Sequence, residues 1–162
     1  MINKNTKLFG SFSHKAGNTG CKTFNTAFKH CGIDAVYKSF SVKNIQEAVM
    51  AARCLKFSGF AVSMPFKLQV MKYVDDLSVE VKNIGAANTI VNEGGVFKAY
   101  NTDYKAARIF LEDYDKELYI LGNGGYAAAV KYVAIDSKRE YTLITRTNWD
   151  QIRELRDKTI FN

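Results

Sequence analysis

The feature that most constrains this fold is an alternation between two hydrophobic periodicities along residues 7–63. "KLFGSF" and "AVYKSFS" alternate as β-strands do, and "GFAVS" is a third short apolar run. Two stripes with helical spacing separate these runs: Phe24, Ala27, Phe28 and Cys31, ending near Gly32, and Ile45, Ala48, Val49, Ala52 and Leu55. The order strand, helix, strand, helix, strand predicts a parallel α/β sheet.

The pattern changes after Lys67, where we expect a short helix. "LSVEVKNIGAANTIV" predicts a helix that gives way to a strand, "NEGG" a turn and "VFKAY" a returning strand, so one hairpin interrupts the parallel order. "DYKAARIFLED" predicts a helix with Tyr104, Ala107 and Leu111 on one face. A second α/β unit begins near residue 115 with a strand, a glycine turn and a helix. Strand "YTLIT", helix "NWDQIRELRD" and a candidate third strand, "KTIF", follow.

Composition indicates a globular protein that is neither exported nor membrane-spanning. Of the 162 residues, 47% are hydrophobic, which is enough to bury a core. The apolar runs are all shorter than the roughly 18 residues of a membrane span, and "MINKNTKLFG" lacks the apolar core of a signal peptide. Cys21, Cys31 and Cys54 form no metal-binding spacing. We therefore expect reduced thiols, no metal site and a cytoplasmic location.

The net charge of +7 suggests an acidic partner. Most of the basic excess lies in residues 1–104, where lysines and arginines are scattered singly among apolar residues. Nucleic-acid binding usually shows basic runs or aromatic modules instead. We therefore expect no nucleic acid and favour a small anionic substrate.

"LYILGNGGYAAA" places a glycine turn between an apolar strand and a helix. In dinucleotide-binding proteins such glycines permit a tight bend and a close backbone approach, and the helix N-terminus offers N–H groups to the pyrophosphate. The small residues 127–129 would let the helix pack closely on the sheet. An ordinary strand-to-helix turn is the alternative. The candidate cofactor-binding residues here are Gly122, Asn123, Gly124, Gly125 and Tyr126.

Thr145, Arg146 and Thr147 follow the next predicted strand, where an NAD site would carry an acidic residue. A guanidinium and two hydroxyls suit the 2′-phosphate of NADP. A solvated surface arginine is the alternative. We expect NADP rather than NAD.

Four stretches occur in a characteristic order: "GFAVSMPFK", "IGAANTIV", "YNTD" and the glycine turn. They resemble the shikimate dehydrogenase family, whose corresponding motifs read like NVTxPxK, GAxNT, GxNTD and GAGGA, over most of residues 8–147. The resemblance implies an enzyme that reduces 3-dehydroshikimate to shikimate with NADPH, in chorismate and aromatic amino acid biosynthesis. It also implies an N-terminal, parallel-rich α/β substrate domain (1–103) followed by a partial Rossmann-like dinucleotide-binding unit (104–162).

By the same resemblance, Lys67 and Asp103 are the catalytic pair, facing each other across the substrate. The amides of Asn88 and Asn101 would hold substrate hydroxyls, and Asn88 is the better match to the family motif. Carbonyl reduction needs a proton as well as a hydride, and a lysine held near an aspartate can handle that proton. Pro65, the only proline, would define the strand-to-helix turn that aims Lys67.

The chain departs from the family pattern in its first loop, where "HKAGNTGCKTFN" replaces HSxSPxxHN and only Asn25 matches at the end. Asn18, Thr19 and nearby backbone amides are candidates for binding the substrate carboxylate instead. Ala61 replaces the asparagine of NVTxPxK. Ser63 stands where threonine is usual and is a candidate substrate-binding residue. Asn123 and Tyr126 replace alanines of the glycine turn, which adds bulk beside the pyrophosphate.

The sequence also stops after about half of the expected dinucleotide-binding strands. One hypothesis is a compact dehydrogenase completed as a homo-oligomer. The alternative is a truncated, non-catalytic relative that binds a small hydroxy-acid or a nucleotide.

Overall fold

The computed structural model describes residues 2–112, 117–155 and 159–161. Contacts between residues divide the chain into two compact units. One comprises Met1–Ser78 and Ala87–Tyr100, and the other comprises Val79–Ala86 and Asn101–Asn162. The assignment of residues 1–103 to substrate binding and of residues 104–162 to NADP binding stays a prediction.

The first unit is built on a six-stranded sheet with the order β2-β1-β3-β5-β6-β4. Its strands are β1 (Lys7–Ser13), β2 (Ala35–Ser41), β3 (Gly59–Val62), β4 (Asp76–Leu77), β5 (Thr89–Glu93) and β6 (Val96–Tyr100). β1 pairs in parallel with β2 and β3, and β4 pairs in parallel with β6. β5 runs antiparallel to both of its neighbours, β3 and β6. The predicted parallel-rich α/β sheet with one interrupting hairpin is confirmed, whereas β4 was not predicted.

Gly94 and Gly95 form the tight connection between β5 and β6. Their φ angles of 66° and 100° lie in the left-handed region that glycine adopts without steric cost. The predicted "NEGG" turn is therefore narrower than expected, because β5 continues to Glu93.

Helix α1 (Thr19–His30) connects β1 to β2, and helix α2 (Ile45–Cys54) connects β2 to β3. The side chain of Asn44 caps α2 by accepting hydrogen bonds from the N–H groups of Gln46 and Glu47. Four predicted core positions of α2 are buried: Ile45, Ala48, Val49 and Ala52. The prediction of Leu55 as a core position was wrong, because the helix ends at Cys54 and 63% of the Leu55 residue is exposed.

The segment after β3 is a series of turns rather than an α-helix. Residues 64–69 form turns, and a 3-10 helix follows at Val70–Tyr73. The buried side chains of Phe66 and Val70 anchor this segment in the core. The short helix predicted after Lys67 thus exists as one 3-10 element that begins three residues later.

The second unit contains a three-stranded parallel sheet with the order β8-β7-β9. Its elements are α3 (Val79–Ile84), α4 (Thr102–Glu112), β7 (Leu118–Leu121), α5 (Gly125–Asp136), β8 (Tyr141–Ile144), a 3-10 helix (Trp149–Glu154) and β9 (Thr159–Phe161). The segment "NWDQIRELRD", predicted to be a helix, contains the 3-10 helix. The last two residues of that predicted segment, 156 and 157, lie outside the described residues. The candidate strand "KTIF" is confirmed as β9.

A continuous core joins α4 and α5 to the central strand β7 of the second unit. Ala107 and Leu111 come from α4, while Leu118 and Ile120 come from β7. Tyr104 is only partly buried against this cluster, so the predicted apolar face of α4 is confirmed with Tyr104 at its margin. None of the helices in the described part of the chain is long and apolar enough to cross a bilayer.

Candidate functional site

Strand ends that are distant in sequence meet at one edge of the six-stranded sheet. β1 and β3 are parallel, so their carboxyl ends lie at the same edge, and antiparallel β5 starts there. The N–H of Ser63 donates to the carbonyl of Phe12 (3.0 Å), and the N–H of Val62 donates to the carbonyl of Asn88 (2.8 Å). Ser63 and Asn88, both predicted to bind substrate, therefore flank the same strand end.

Lys67 is tied to this edge through its main chain. The N–H of Ala87 donates to the carbonyl of Lys67 at 2.9 Å, which links the turn after β3 to the residue before Asn88. The turn starts where the N–H of Phe66 bonds to the carbonyl of Ser63 (2.9 Å) and includes Pro65, whose peptide bond to Met64 is cis. Lys67 itself is half-buried. Three predicted site residues thus share one sheet edge: Ser63, Lys67 and Asn88.

The amide of Asn88 is buried, with only 9% of the residue exposed. Its Oδ1 accepts a hydrogen bond from the Thr89 hydroxyl at 2.9 Å. A buried side-chain amide held in this way presents hydrogen-bonding atoms in a defined orientation, which a hydroxyl-bearing ligand requires.

Asn18 and Thr19 lie at the exposed N-terminus of α1. Asn18 occupies the N-cap position, but within the described residues its side chain makes no capping hydrogen bond. The preceding loop is attached to β2 by a hydrogen bond from the N–H of Ala16 to the Ser41 hydroxyl (3.0 Å). Backbone N–H groups at a helix start attract anions. The carboxylate-binding role of Asn18 and Thr19 stays a prediction.

Asn101 lies in the second unit, where it caps α4. Its Nδ2 donates to the carbonyl of Ala86 (2.9 Å), and its Oδ1 accepts from the N–H of Tyr104 (3.1 Å). Only 4% of the residue is exposed. The nitrogen and the oxygen of the side-chain amide therefore both bond to the main chain, a structural role that the motif match had missed. The sequence signal was available, because asparagine just before a helix is a preferred N-cap.

Asp103 occupies the first turn of α4 and is half-buried. Burial, together with the negative charge of Asp103, raises the pKa of Tyr126 above its ordinary value. Tyr126 also packs against the core cluster formed by α4, α5 and β7. The expected extra bulk beside a pyrophosphate is therefore directed at least partly into the core.

The glycine turn lies at the carboxyl end of β7, as the sequence predicted. The N–H of Gly122 donates to the carbonyl of Ile144 at the end of β8 (2.7 Å), and its φ of 89° lies in the left-handed region. Apart from the glycine itself and its two chain neighbours, no heavy atom of the described residues lies within 4 Å of a Cβ built on Gly122 or Gly124. Gly124 precedes α5 without a side-chain cap in the described chain, and the first turn of α5 has no acidic residue.

The loop after β8 brings Thr145, Arg146 and Thr147 to the same sheet edge, since β7 and β8 are parallel neighbours. Arg146 and Thr147 are exposed. The hydroxyls of Thr145 and Thr147 are 2.7 Å apart and bond to each other. A guanidinium therefore projects from a loop that follows the strand beside the glycine turn.

Asn148 organises this loop, and the sequence analysis missed it. Its Oδ1 accepts from the N–H of Thr145 (2.7 Å), while its Nδ2 donates to the carbonyl of Leu143 (3.0 Å). An asparagine that hydrogen-bonds nearby backbone is a frequent turn signal and could have been recognised.

These features fit a dinucleotide. Open space at Gly122 and Gly124 allows close approach of a phosphate, and the uncapped start of α5 offers N–H groups. Strands β8 and β9 lie on opposite sides of β7, and α/β folds bind ligands at the carboxyl ends of strands where the order reverses in this way. In the described residues, no group of three or more His, Cys, Asp or Glu side chains is placed to hold a metal ion. Cys21, Cys31 and Cys54 are thiols without a disulfide partner.

Comparison with known proteins identifies the relatives of this chain. Residues 19–90 match the family model described as "Shikimate dehydrogenase substrate binding domain". The chain is 38% identical over 134 residues to a shikimate dehydrogenase-like protein of Haemophilus influenzae, covering 80% of this chain and 49% of the relative. It is 35% identical over 154 residues to a shikimate dehydrogenase (NADP(+)) of Methanococcus maripaludis, covering 90% and 55%. This chain belongs to the shikimate dehydrogenase family.

A solved structure of a family member supports the same assignment. A crystal structure of a shikimate dehydrogenase in complex with NADP⁺ superposes with a TM-score of 0.81 at 35% identity, covering 91% of this chain and 54% of that one. The predicted fold class, an α/β unit followed by a Rossmann-like unit, is confirmed. Ser63, Lys67 and Asn88 lie inside the region that matches the family's substrate-binding domain. The chain spans about half the length of the curated relatives it matches.

Proposed function

We propose that this chain acts as an NADP-dependent shikimate dehydrogenase, reducing 3-dehydroshikimate to shikimate in chorismate and aromatic amino acid biosynthesis. The observation that carries the proposal is the edge of the six-stranded sheet, where Ser63, Lys67 and Asn88 meet through main-chain hydrogen bonds. These three residues occupy the family's substrate motifs, and the match to the substrate-binding domain model includes them.

The substrate of the proposed reaction is a small anionic cyclic hydroxy-acid. The buried amide of Asn88 suits a ring hydroxyl, because its orientation is held by the Thr89 hydroxyl. Ser63 is exposed at the neighbouring strand end and supplies a second hydroxyl-binding group. Asn18 and Thr19, at the start of α1, are proposed to bind the carboxylate.

Lys67 and Asp103 are the proposed catalytic residues. Reduction of a carbonyl requires a proton for the oxygen atom, and in the reverse direction a base must remove that proton from the hydroxyl. Lys67 is proposed to donate the proton in reduction and to remove it in the reverse reaction, and Asp103 is proposed as the second catalytic residue. These roles rest on the motif match and on the half-buried environment of both residues.

NADP is the proposed cofactor, and it supplies the hydride when it is bound. The open space at Gly122 and Gly124 would allow the pyrophosphate to approach the backbone, and the start of α5, which begins with Gly125, would donate N–H groups to it. Arg146 is the candidate for the 2′-phosphate, since it is exposed in the loop after β8. A cytoplasmic location and self-association stay predictions.

The test is formation of NADPH from shikimate and NADP⁺, with Lys67→Ala and Asp103→Asn as comparisons. Turnover by the native chain that is lost in both variants would support the proposal. A rate per chain that rises with protein concentration would support a shared active site. Shikimate binding without turnover would favour the alternative, a relative that binds a hydroxy-acid without converting it. A chain that shows no shikimate binding and no turnover would contradict both functions.

A further inference from the structure

Side chains of α1 bond to the backbone of an edge strand. β2 lies at one end of the six-stranded sheet, and edge strands present main-chain N–H and C=O groups that have no neighbouring strand. At Tyr37 and Ser39, which are two residues apart on β2, main-chain groups bond to side chains of α1. We call these four residues, Cys21, Asn25, Tyr37 and Ser39, the α1–β2 junction.

Asn25 makes three hydrogen bonds in this junction. Its Oδ1 accepts from the N–H of Tyr37 at 2.8 Å, and its Nδ2 donates to the carbonyl of Tyr37 at 2.8 Å. The same Nδ2 donates to the carbonyl of Cys21 at 2.9 Å. The side-chain amide therefore pairs with Tyr37 much as the backbone of an additional strand would.

Cys21 lies one helical turn before Asn25 and engages Ser39. The N–H of Ser39 donates to the Cys21 Sγ (3.2 Å), and the thiol donates to the Ser39 hydroxyl oxygen (3.3 Å). The hydroxyl of Ser39 and then its main-chain N–H lower the pKa of the Cys21 thiol. Cys21 and Asn25 are one helical turn apart on α1, and the β2 residues that they contact are two positions apart. The two contacts together therefore specify both the axial position and the rotation of α1.

The apolar contacts of α1 do not specify its position as sharply. All residues of α1 are described, and none of them is buried. Phe28 contacts Phe9 with ring centroids 5.6 Å apart, and Phe24 stacks on Tyr37 at 4.6 Å. Ring contacts of this kind tolerate sliding and rotation, whereas hydrogen bonds weaken steeply as their angles depart from linearity.

We propose that Asn25 and Cys21 are positioning residues for the substrate carboxylate. They hold the first turn of α1, which carries Asn18 and Thr19, at a defined place relative to β2. This inference rests on the proposed function, because Asn18 and Thr19 bind the carboxylate only if the substrate is a hydroxy-acid.

The experiment is calorimetric titration of the full chain with shikimate and with methyl shikimate, which keeps the ring hydroxyls but lacks the charged carboxylate. Asn25→Ala is expected to weaken shikimate binding by about tenfold, the equivalent of one hydrogen bond, and to change methyl shikimate binding by less than about twofold. Thr26→Ala is the matched control, since Thr26 is the next residue of α1 and is exposed. It should leave both affinities unchanged.

If the role of Asn25 is purely structural, Asn25→Ala weakens the binding of both ligands equally, and that result overturns the proposal. An Asn25→Ala variant that binds shikimate normally also overturns it. If Asn25→Ala does not fold, the pair Cys21→Ser and Cys21→Ala decides. Serine retains a hydrogen-bonding side chain and should preserve shikimate binding, whereas alanine should weaken it selectively; equal behaviour of the two overturns the proposal. A native chain that binds neither ligand rejects the proposed function and this inference with it.

Discussion

The two candidate regions are assembled in different ways. At the edge of the six-stranded sheet, Ser63, Lys67 and Asn88 are brought together by main-chain hydrogen bonds between segments far apart in sequence. In the second unit, the glycine turn and the Thr145–Thr147 loop are short, continuous segments that directly follow two paired strands. The first region therefore depends on correct sheet assembly, and the second on the conformation of a few consecutive residues.

The largest effect is expected from Lys67→Ala, which removes the proposed proton donor from the first region. Turnover of shikimate should fall by about 10²–10⁴-fold, the usual contribution of general acid–base catalysis. Shikimate affinity should change much less, because the carbonyl of Lys67, which accepts a hydrogen bond from the N–H of Ala87, is retained in the variant.

The matched control for this change is Lys72→Ala, an exposed lysine in the following 3-10 helix. It should leave turnover unchanged. Equal losses in the two variants would mean that removing any local positive charge impairs the enzyme, and the specific role of Lys67 would be rejected.

Arg146→Ala tests the second region through its charge. We expect NADP⁺ affinity to fall by roughly 10–100-fold, which corresponds to losing about 1.5–3 kcal/mol from a charge-assisted hydrogen bond. NAD⁺ affinity should hardly change, because NAD⁺ lacks the 2′-phosphate. Titration of both dinucleotides, with exposed Arg153→Ala as the control, measures this; parallel losses for NADP⁺ and NAD⁺ would contradict the assignment.

Gly122→Ala tests whether backbone conformation is what matters in the second region. Space is available for a Cβ, but the φ of 89° is unfavourable for alanine, so unfolding free energy should drop by about 1–2 kcal/mol. Gly124→Ala is the control, because its surroundings are equally open while its φ is −87°. Urea unfolding should therefore separate the two variants, and similar losses would show that φ is not the cause.

The smallest effect is expected from Asp75→Asn in the first unit. The Arg53 guanidinium (2.9 Å) and then the N–H of Phe97 (2.7 Å) lower the pKa of the Asp75 carboxyl. The Arg53 and Asp75 side chains are 40% and 43% exposed, so solvent screening limits the expected loss to about 1 kcal/mol or less at neutral pH.

The pH dependence of this loss has a defined sign. The folded-state pKa of Asp75 lies below its unfolded value of about 3.9, so ionised Asp75 stabilises the fold above that pH. The stabilisation is lost as the pH falls through the lower folded-state pKa. The difference between native and Asp75→Asn chains should therefore shrink below about pH 4. A difference that stays constant down to low pH would reject the charge-based explanation.

Much of the candidate site could be read from the sequence because motifs record residue types in order. The motif order identified the family and predicted Lys67 and Asn88 as site residues, and the strand-turn-helix pattern located the glycine turn. The roles of Asn101 as the cap of α4 and of Asn148 in the loop after β8 were not predicted, although asparagine is a recognisable signal at both kinds of position. Both asparagines precede or follow short elements whose exact bounds determine what their amides contact.

For the fold, the sequence by itself determined the order of elements, since periodicity directly records which side chains must leave water. The described strands other than β4, the β5–β6 hairpin and four buried positions of α2 were predicted in this way. Tertiary structure alone decided the complete strand order of the two sheets and the attachment of α1 to β2 through Asn25. The reason is that these features depend on hydrogen bonds between residues distant in sequence, whose partners no local pattern specifies.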